Sequence, residues 1–321
     1  YLNSAQPAQF MGLVRWWKAL PAADRPRGVV EFGTDPGVDV LRVDEAGQPT
    51  YRLRDYRLDA RPMLYRFAAG HLDTEDRDRF CVATFDDVTS SVFGSILGWP
   101  VRTLPLPQDN HPPIANRAGR RPITIGVVGH QRPDKGYHLM PDIARALLAS
   151  EKNIRVLVQN SVPAEMPDAH EAMRRIAASD SRVSIDELPV GAERWTALLR
   201  QSDLMLCPYD PVRYVASYSA VATDAVANGI PLVVPDGTSM ARLVARYGGC
   251  GVTYAEQRVE PIVSATRDAL ANFDALADRA GKAASRWVST MGAANTVREI
   301  LAMAGRSDAA LRTSRSPGRP R

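Results

Sequence analysis

The chain has 321 residues, enough for about two domains, and its 45% apolar and 24% charged residues are typical of a globular protein. Three scattered cysteines, none in a CxxC pair, exclude a disulfide framework and argue against a zinc site, so a reduced, cytoplasmic setting is expected. The net charge of +4 equals the excess of five arginines over one aspartate in residues 304–321. The rest of the chain is therefore neutral, which argues against nucleic acid as a partner.

The N-terminal part of the chain combines helical and strand patterns. Apolar spacing predicts one helix over residues 9–20 and another over 87–97, the second capped by Asp86 or Asp87. Residues 40–62 mix charged and apolar side chains without a clear period. Short apolar runs predict strands at residues 28–32, 80–84 and 101–106.

A change in composition marks the boundary between two domains. Residues 107–122 are polar and rich in Pro, Gly and Asn, as linkers are, so we place an N-terminal domain at 1–118 and a C-terminal domain at 119–303. In the C-terminal domain, strands are predicted at 123–128, 154–159, 183–187, 204–207, 232–234 and 251–254. Helices are predicted at about 137–149, 168–178, 192–200, 219–227, 239–246 and 260–270. This alternation predicts a doubly wound α/β domain of Rossmann type, with a parallel sheet that binds ligands at the carboxyl ends of its strands.

The last residues of the chain differ from the rest. Residues 304–321 are rich in Arg, Ser, Gly and Pro and are predicted to be disordered. Such a tail suits contact with an anionic membrane surface or with nucleic acid, and a solvated terminus without a partner is the favoured alternative. No apolar stretch approaches the roughly 18 residues of a transmembrane helix. We expect a cytoplasmic protein, with peripheral contact at the inner face of the membrane as an option. Because the chain starts at Tyr1 rather than Met, we also expect it to be a fragment.

The loop after the first strand of the C-terminal domain carries cationic side chains. It begins with Gly129, and His130, Arg132 and Lys135 follow just before a predicted helix. A helix N-terminus together with cations suits a phosphate group, and a solvated basic turn is the alternative. The loop matches neither the Walker pattern nor GxGxxG, so no dinucleotide fingerprint is present.

The loop after the fourth strand is the second candidate. It contains Tyr209 and Ser217 and ends at Ser219, where a helix carrying Asp224 begins. The free N–H groups at the start of that helix suit an anion, and the Asp224 carboxylate is placed to accept hydrogen bonds from a ribose. A helix with an ordinary serine cap is the alternative.

These stretches carry a family resemblance. Residues 123–254 resemble the donor domain of glycosyltransferase family 4, a GT-B family that uses nucleotide sugars. The resemblance rests on GHQRPDKG at 129–136, on the stretch 203–238 and on GGCGVTY at 248–254. It implies an α/β, GT-B fold of two Rossmann-like doubly wound domains, the N-terminal one incomplete, with its first strand upstream of Tyr1.

The resemblance also assigns roles to individual residues. Lys135 stands where the family has the lysine that contacts the diphosphate, His130 stands at the position of its arginine, and Arg132 substitutes for that arginine. Asp224 stands where the family has a ribose-binding glutamate. The residues expected to carry catalysis are therefore Asp224, Lys135 and Arg132. Those expected to bind the donor are Gly129, His130, Lys135, Tyr209, Ser217, Ser219, Ala220, Val221 and Asp224.

Three departures from the family pattern bear on activity. The ribose-binding glutamate is the shorter Asp224, and the glycine after the serine is Ala220. The first glutamate of the family's E-x7-E pair falls at Ala216. The arginine that is usual nearby is absent, and Ser217 lies at about that position. These departures leave the predicted fold unchanged. Because of them, the resemblance does not imply full catalytic activity. In the N-terminal domain, His71 is the available sugar-facing histidine, although a surface histidine is the simpler interpretation.

The expected function is transfer of a sugar from a nucleotide-diphosphate sugar to a carbohydrate or lipid-linked acceptor, as in polysaccharide biosynthesis. The resemblance implies retention of anomeric configuration and no metal or other cofactor. A catalytically inactive nucleotide-sugar or glycan-binding module of the same fold is the main alternative. A sugar-nucleotide epimerase is a third, but it requires a carboxylate-rich cleft for which the sequence offers no clear set.

Overall fold

The computed structural model describes residues 1–45, 48–55, 57, 59–109 and 117–305. The chain forms two compact units. The first comprises residues 1–107, 216–218 and 291 onward, and the second comprises 108–215 and 219–290. The predicted disordered tail lies outside the described residues, apart from Ala304 and Gly305.

The first unit contains a three-stranded parallel sheet of order β1-β4-β5 and a separate antiparallel hairpin, β2–β3. Its elements in chain order are α1 (Pro7–Ala19), β1 (Gly28–Glu31), β2 (Val38–Val43), β3 (Pro49–Leu53), α2 (Arg61–Ala69), α3 (Thr74–Arg79), β4 (Phe80–Thr84), α4 (Asp87–Leu97) and β5 (Arg102–Thr103). Asp86 caps α4 as expected, because its carboxylate accepts the Thr89 N–H at 3.1 Å.

Aromatic side chains fill the core of the first unit. The Phe32 ring lies 4.6 Å from that of Tyr65 and 4.8 Å from that of Phe93. Phe10 from α1 packs on the same group at 5.1 Å from Phe32. All four side chains are buried, so burial of aromatic surface holds α1, α2 and α4 on the small sheet.

The sequence left one region of the first unit unassigned and predicted the length of one strand wrongly. Residues 40–62 showed no period, yet they contain most of the hairpin and the start of α2. The hairpin register shifts between Val40 and Arg42, and such an irregularity breaks the alternation by which a strand is recognised. The strand expected at 101–106 is reduced to the two residues of β5, since the following Leu-Pro-Leu-Pro run contains prolines that have no N–H to donate.

The second unit is a six-stranded parallel sheet of order β11-β10-β9-β6-β7-β8. Its strands are β6 (Ile123–Val127), β7 (Ile154–Gln159), β8 (Val183–Asp186), β9 (Leu204–Leu206), β10 (Leu232–Pro235) and β11 (Gly251–Tyr254). Its helices are α5 (Met140–Ser150), α6 (Pro167–Ser179), α7 (Ala192–Gln201), α8 (Ala220–Ala227), α9 (Ser239–Arg246), α10 (Val259–Ala271) and α11 (Phe273–Thr290). The six predicted strands are confirmed to within one residue at each end.

The strand order reverses at β6. From β6 the chain proceeds outward through β7 and β8, and then returns to β9 on the other side of β6. In open parallel sheets the loops that follow the strands diverge at such a point and leave a crevice for ligands. The loops after β6 and β9 are therefore where a site is expected.

A buried arginine in the second unit binds the carbonyl groups at the ends of two helices. Arg117, only 3% exposed, donates hydrogen bonds to the carbonyls of Ser202 at 3.0 Å, Leu199 at 3.2 Å and Asn228 at 3.1 Å. These carbonyls lie at the C-terminal ends of α7 and α8, where helix carbonyls lack partners within the helix. Burial lowers the pKa of Arg117 to about 10. Arg117 therefore belongs to the second unit, whereas the sequence placed the boundary after residue 118.

The last described helix is α12 (Ala293–Met303). The sequence analysis places these residues in the C-terminal domain, but in the structure they belong to the first compact unit. The reason is local. The Gly292 N–H donates to the Leu106 carbonyl at 2.8 Å, and the Thr296 hydroxyl donates to the Pro105 carbonyl at 2.9 Å. Within the described ranges, no helix has both the length and the hydropathy needed to cross a membrane.

Candidate functional site

The loop after β6 is shaped by two glycines. Gly129 has φ +99° and Gly136 has φ +72°, backbone conformations that side chains other than glycine rarely adopt. Between them the chain makes a 3-10 turn at Pro133–Lys135, and a second turn at Tyr137–Leu139 leads into α5. A side chain at position 136 would collide with the Pro208 carbonyl, so this loop approaches the loop after β9 backbone to backbone.

Hydrogen bonds tie the two loops together. The Asp210 N–H donates to the Asp134 carbonyl at 2.8 Å, and the Tyr214 hydroxyl donates to the Asp134 carboxylate at 3.2 Å. The predicted site residue Arg132 is paired with the same carboxylate, at 3.0 Å. Arg132 is therefore close to the expected phosphate position but already shares an anion with the fold.

Lys135, unlike Arg132, has no carboxylate partner in the described part of the chain. Its ammonium group lies 5.3 Å from the centroid of the Tyr209 ring, and it makes no ion pair or hydrogen bond with any residue in the described ranges. Burial lowers the pKa of Lys135, and the positive charge of Arg132 adds to that shift. The fold thus holds a partly buried cation whose charge lacks a counter-ion, which is costly unless a ligand supplies one.

The start of α8 lies beside this lysine. A Cβ at Gly129 would come within 2.9 Å of a Val221 methyl and 3.7 Å of the Lys135 ammonium nitrogen, so these three residues converge. Ser219 caps the helix by accepting the Ala222 N–H at 3.3 Å. The N–H groups of Ala220 and Val221 find no acceptor among the residues the structure describes. A cation and free helix N–H groups around a glycine form a site for an anion.

Asp224 occupies a different environment from these groups. One turn into α8, its carboxylate accepts a hydrogen bond from the Trp195 indole N–H at 2.8 Å. Trp195 lies on α7, and no pattern in the sequence connects it with Asp224. The carboxylate predicted to bind ribose is thus oriented by an aromatic donor.

The other predicted residues lie in different environments. His130 is 48% exposed, and its ring nitrogen lies 2.9 Å from the Glu165 carboxylate. Tyr209 is buried, with its ring 4.7 Å from that of Tyr214, and burial raises its pKa well above the ordinary value. Ser217 is grouped with the first unit. His71, the histidine candidate of the N-terminal domain, is an exposed residue beside Phe67.

Two glutamines belong to the site and were missed from the sequence. Gln159, at the end of β7, accepts the Gly129 N–H at 2.8 Å. Gln131 donates to the Gln159 carbonyl at 2.9 Å, and both side chains are buried. They fix the conformation of Gly129. The one available signal was the position of Gln159 at the carboxyl end of a buried strand. In the described ranges, no group of three or more His, Cys, Asp or Glu side chains is arranged to hold a metal ion.

Comparisons with known proteins agree with this architecture. A family model described as "Family 4 Glycosyltransferase in conflict systems" matches residues 87–313. Among solved structures, Thermosynechococcus elongatus sucrose-phosphate synthase has a TM-score of 0.63 and 15% identity, over 97% of this chain and 72% of that chain. Anabaena HepE in complex with UDP has a TM-score of 0.66 and 14% identity, over 94% and 78%.

A Burkholderia xenovorans UDP-forming α,α-trehalose-phosphate synthase has a TM-score of 0.64 and 13% identity, over 94% and 72%. At these identities the likeness shows the fold, which is GT-B with Rossmann-like domains. No curated protein matches the chain at the level of sequence.

Proposed function

The chain belongs to the family 4 glycosyltransferases found in conflict systems, and we propose that it transfers a sugar from a nucleotide-diphosphate sugar to a carbohydrate or lipid-linked acceptor. The observation that carries the proposal is the lone ammonium of Lys135 beside Gly129 and the free N–H groups of α8. A diphosphate supplies the negative charge that this arrangement lacks.

The chemistry follows from where charge develops. When the sugar leaves, negative charge accumulates on the diphosphate, and donors fixed in advance stabilise it most. Lys135 and the N–H groups of Ala220 and Val221 are fixed by the loop and the helix start. Arg132, whose side chain is 45% exposed, contributes if the diphosphate competes with Asp134 for its guanidinium group.

The donor nucleoside requires further contacts. We assign the ribose hydroxyls to the carboxylate of Asp224, which Trp195 orients. HepE has been solved with UDP and with UDP-glucose, and this favours a uridine diphosphate sugar as the first donor to test. Retention of configuration, independence from metals and a role in polysaccharide biosynthesis follow from the family resemblance and remain part of the proposal.

Turnover of UDP-glucose by the purified chain tests the proposal. Release of UDP from UDP-glucose is measured without an acceptor and then with a panel of mono- and oligosaccharides. It is compared with the release of GDP, ADP and CMP from sugars linked to those nucleotides. The proposal predicts UDP release that depends on Lys135 and is stimulated by at least one acceptor. Release of the corresponding nucleotide from none of the donors, with or without an acceptor, contradicts transferase activity.

A catalytically inactive binding module is the second candidate. The pairing of Arg132 with Asp134 and of His130 with Glu165 favours it, because both side chains expected at the family's arginine position already have anionic partners. Binding of UDP without any turnover selects this candidate. Absence of binding to UDP, GDP, ADP and CMP contradicts both candidates as nucleotide-sugar proteins.

A further inference from the structure

A buried histidine in the second unit joins the loops that follow β6, β7 and β8. His170, from α6, is 5% exposed. Its Nδ1 atom lies 3.0 Å from the Tyr137 hydroxyl, in the loop after β6, and 3.1 Å from the side-chain nitrogen of Asn160, directly after β7. Its Nε2 atom lies 2.9 Å from a carboxylate oxygen of Glu187, directly after β8. The proposed donor chemistry leaves this network without a role.

Tyr137 connects the histidine with the loop that carries Lys135. The two residues are separated by one glycine in a tight turn, and the Tyr137 side chain is fully buried. At the other end of the same loop, the Gly129 N–H is held by Gln159, the residue that precedes Asn160. Consecutive residues at the end of β7 therefore support both ends of the loop, Gln159 directly and Asn160 through the histidine and Tyr137.

The contacts determine which nitrogen of His170 carries the proton. The side-chain oxygen of Asn160 accepts the Val162 N–H at 3.2 Å, so the NH2 group of this amide faces the histidine. Because an NH2 group can only donate, Nδ1 accepts, and Nε2 carries the proton that is donated to Glu187. This is the arrangement of a neutral ring. Burial raises the pKa of Tyr137 to about 12, so its hydroxyl keeps its proton near neutral pH.

Protonation of Nδ1 conflicts with this arrangement. The new N–H would face the NH2 group of Asn160, which cannot accept it, and the Tyr137 hydroxyl would have to change from donor to acceptor. Glu187 accepts the Nε2 N–H in both states, and its negative charge favours the protonated ring. The Arg174 guanidinium group, 3.2 Å from the same carboxylate oxygen, offsets part of that charge. The two protonation states therefore differ mainly in how the ring holds Tyr137 and Asn160.

We propose that His170 is a positioning residue that makes donor binding sensitive to pH, because the neutral ring holds Tyr137, and through it Lys135, in the orientation that binds the diphosphate. This inference rests on the proposed donor function and adds a means of regulating it. Histidine side chains generally change charge between about pH 5 and 8. Donor affinity is therefore expected to fall as the pH falls through the range in which the ring takes up a proton.

Calorimetric titration with UDP-glucose at about pH 8 and about pH 5.5 tests the proposal. UDP-glucose is the probe because its diphosphate, unlike the terminal phosphate of UDP, takes up no proton in this range. The ratio of the two affinities is compared between the parent and His170→Gln, whose amide does not titrate. We expect the ratio to be about fivefold larger in the parent, the equivalent of one neutral hydrogen bond. Any contribution from protonation of His130 is common to both proteins and cancels in the comparison.

Tyr137→Phe tests the route from the histidine to the loop, because it removes the hydroxyl and leaves the other partners of His170 in place. At about pH 8 it should bind UDP-glucose about fivefold more weakly than the parent, and its ratio should equal that of His170→Gln. His138→Gln, which alters an exposed histidine in the same turn, should behave as the parent does. A purely structural role of the network predicts lower melting temperatures with unchanged ratios. Equal ratios in the parent and in either His170→Gln or Tyr137→Phe overturn the proposal.

The loop can also be observed without a ligand, which separates this proposal from the donor function it rests on. Lys135 and Gly136 form the one Lys-Gly pair in the sequence, so isotope labels on lysine carbonyl carbon and glycine nitrogen select a single NMR signal, that of the Gly136 N–H. In the His138→Gln background, we expect this signal to shift between about pH 8 and 5.5 and to lose that shift when His170→Gln is added.

The two readouts together assign any failure. If the Gly136 signal depends on His170 but UDP-glucose does not bind at either pH, the donor function fails and the link between histidine and loop stands. If UDP-glucose binds but neither the ratio nor the signal depends on His170, the donor function stands and the proposed role of the histidine is wrong. Absence of both binding and the shift contradicts both.

Discussion

Two groups of partly buried charges show how differently the two units use ionic side chains. In the first unit, the Arg54 guanidinium group pairs with Asp35 at 2.6 Å, Asp39 at 2.8 Å and Asp59 at 3.2 Å. In the second unit, Lys135 has no carboxylate partner in the described chain. Compensated charges of the first kind maintain a fold, whereas an uncompensated charge at the carboxyl edge of a sheet is suited to a charged ligand.

The largest effect on stability should come from removing Arg54, the cation shared by the three aspartates of the first unit. Arg54→Ala removes the cation that three aspartates share, and its side chain is only 7% exposed. Because Arg61 still pairs with Asp35 and Asp59, we expect a loss of about 3 kcal/mol in the free energy of unfolding, the lower end of the range for breaking a buried ion pair. Urea denaturation measures it. The control is Arg52→Ala, whose side chain is 70% exposed and makes one 3.4 Å contact with Asp39, and which should cost no more than about 1 kcal/mol. Equal losses for the two variants would refute the distinction.

A smaller effect is expected at Asp224, where the predicted function depends on one carboxylate. Asp224→Asn keeps the volume, and the amide oxygen can still accept the Trp195 N–H, so the melting temperature should hold. UDP affinity should fall by about 1–3 kcal/mol, because a charge-assisted hydrogen bond to ribose is weakened. Asp168→Asn, an exposed residue in the first turn of α6, is the control. Unchanged UDP affinity in Asp224→Asn would remove this residue from the site.

Asp224→Glu sharpens the same test, because it restores the residue that the family usually has. A site adjusted to aspartate and Trp195 should lose turnover when the side chain is lengthened. A gain in UDP affinity would instead indicate a binding module whose site has decayed. Isothermal titration calorimetry and UDP release distinguish these outcomes.

The pH dependence of stability should also distinguish the Arg54 ion pairs of the first unit from Lys135 of the second. Hydrogen bonding from Arg54 holds the pKa of Asp39 below its ordinary value. A carboxylate of this kind stabilises the fold above its unfolded pKa, near 4, and that contribution is lost as the pH falls through its lower folded pKa. The parent chain should therefore lose stability in urea between about pH 4 and 2, and Arg54→Ala should show a shallower slope. Parallel slopes for the two proteins would contradict this assignment.

Lys135 is expected to respond at the opposite end of the pH scale. Because burial lowers its pKa, the ammonium should lose its proton at lower pH than an ordinary lysine. The folded chain then becomes relatively more stable as the pH rises through that value, whereas its affinity for UDP falls. Calorimetric titrations of UDP across the alkaline range measure the second effect. A pH profile identical in the parent and in Lys135→Ala would show that Lys135 does not face the diphosphate.

Much of the second unit could be predicted from sequence, because its strands are short β-branched runs between Gly, Pro and Asn residues, and the parallel order follows from alternation with helices. The same reasoning placed Gly129, Lys135 and Val221 at one edge of the sheet. It could not find Trp195 or Gln159, since their contacts join residues about 30 positions apart and leave no local pattern.

The first unit was less predictable for related reasons. The register irregularity of the hairpin obscured two strands.

Calorimetric titration of UDP into the parent chain, Lys135→Ala and Lys152→Ala tests the central claim most directly. Lys152 is an exposed lysine in the same unit and serves as the matched control. We predict that Lys135→Ala weakens UDP binding by about 1.5–3 kcal/mol. The melting temperature should not fall, because the ammonium is partly buried without a carboxylate partner and its one described contact is with the Tyr209 ring. Lys152→Ala should bind as the parent does. Equal affinity of the parent and Lys135→Ala for UDP would contradict the claim that this uncompensated cation is the anchor of the donor site.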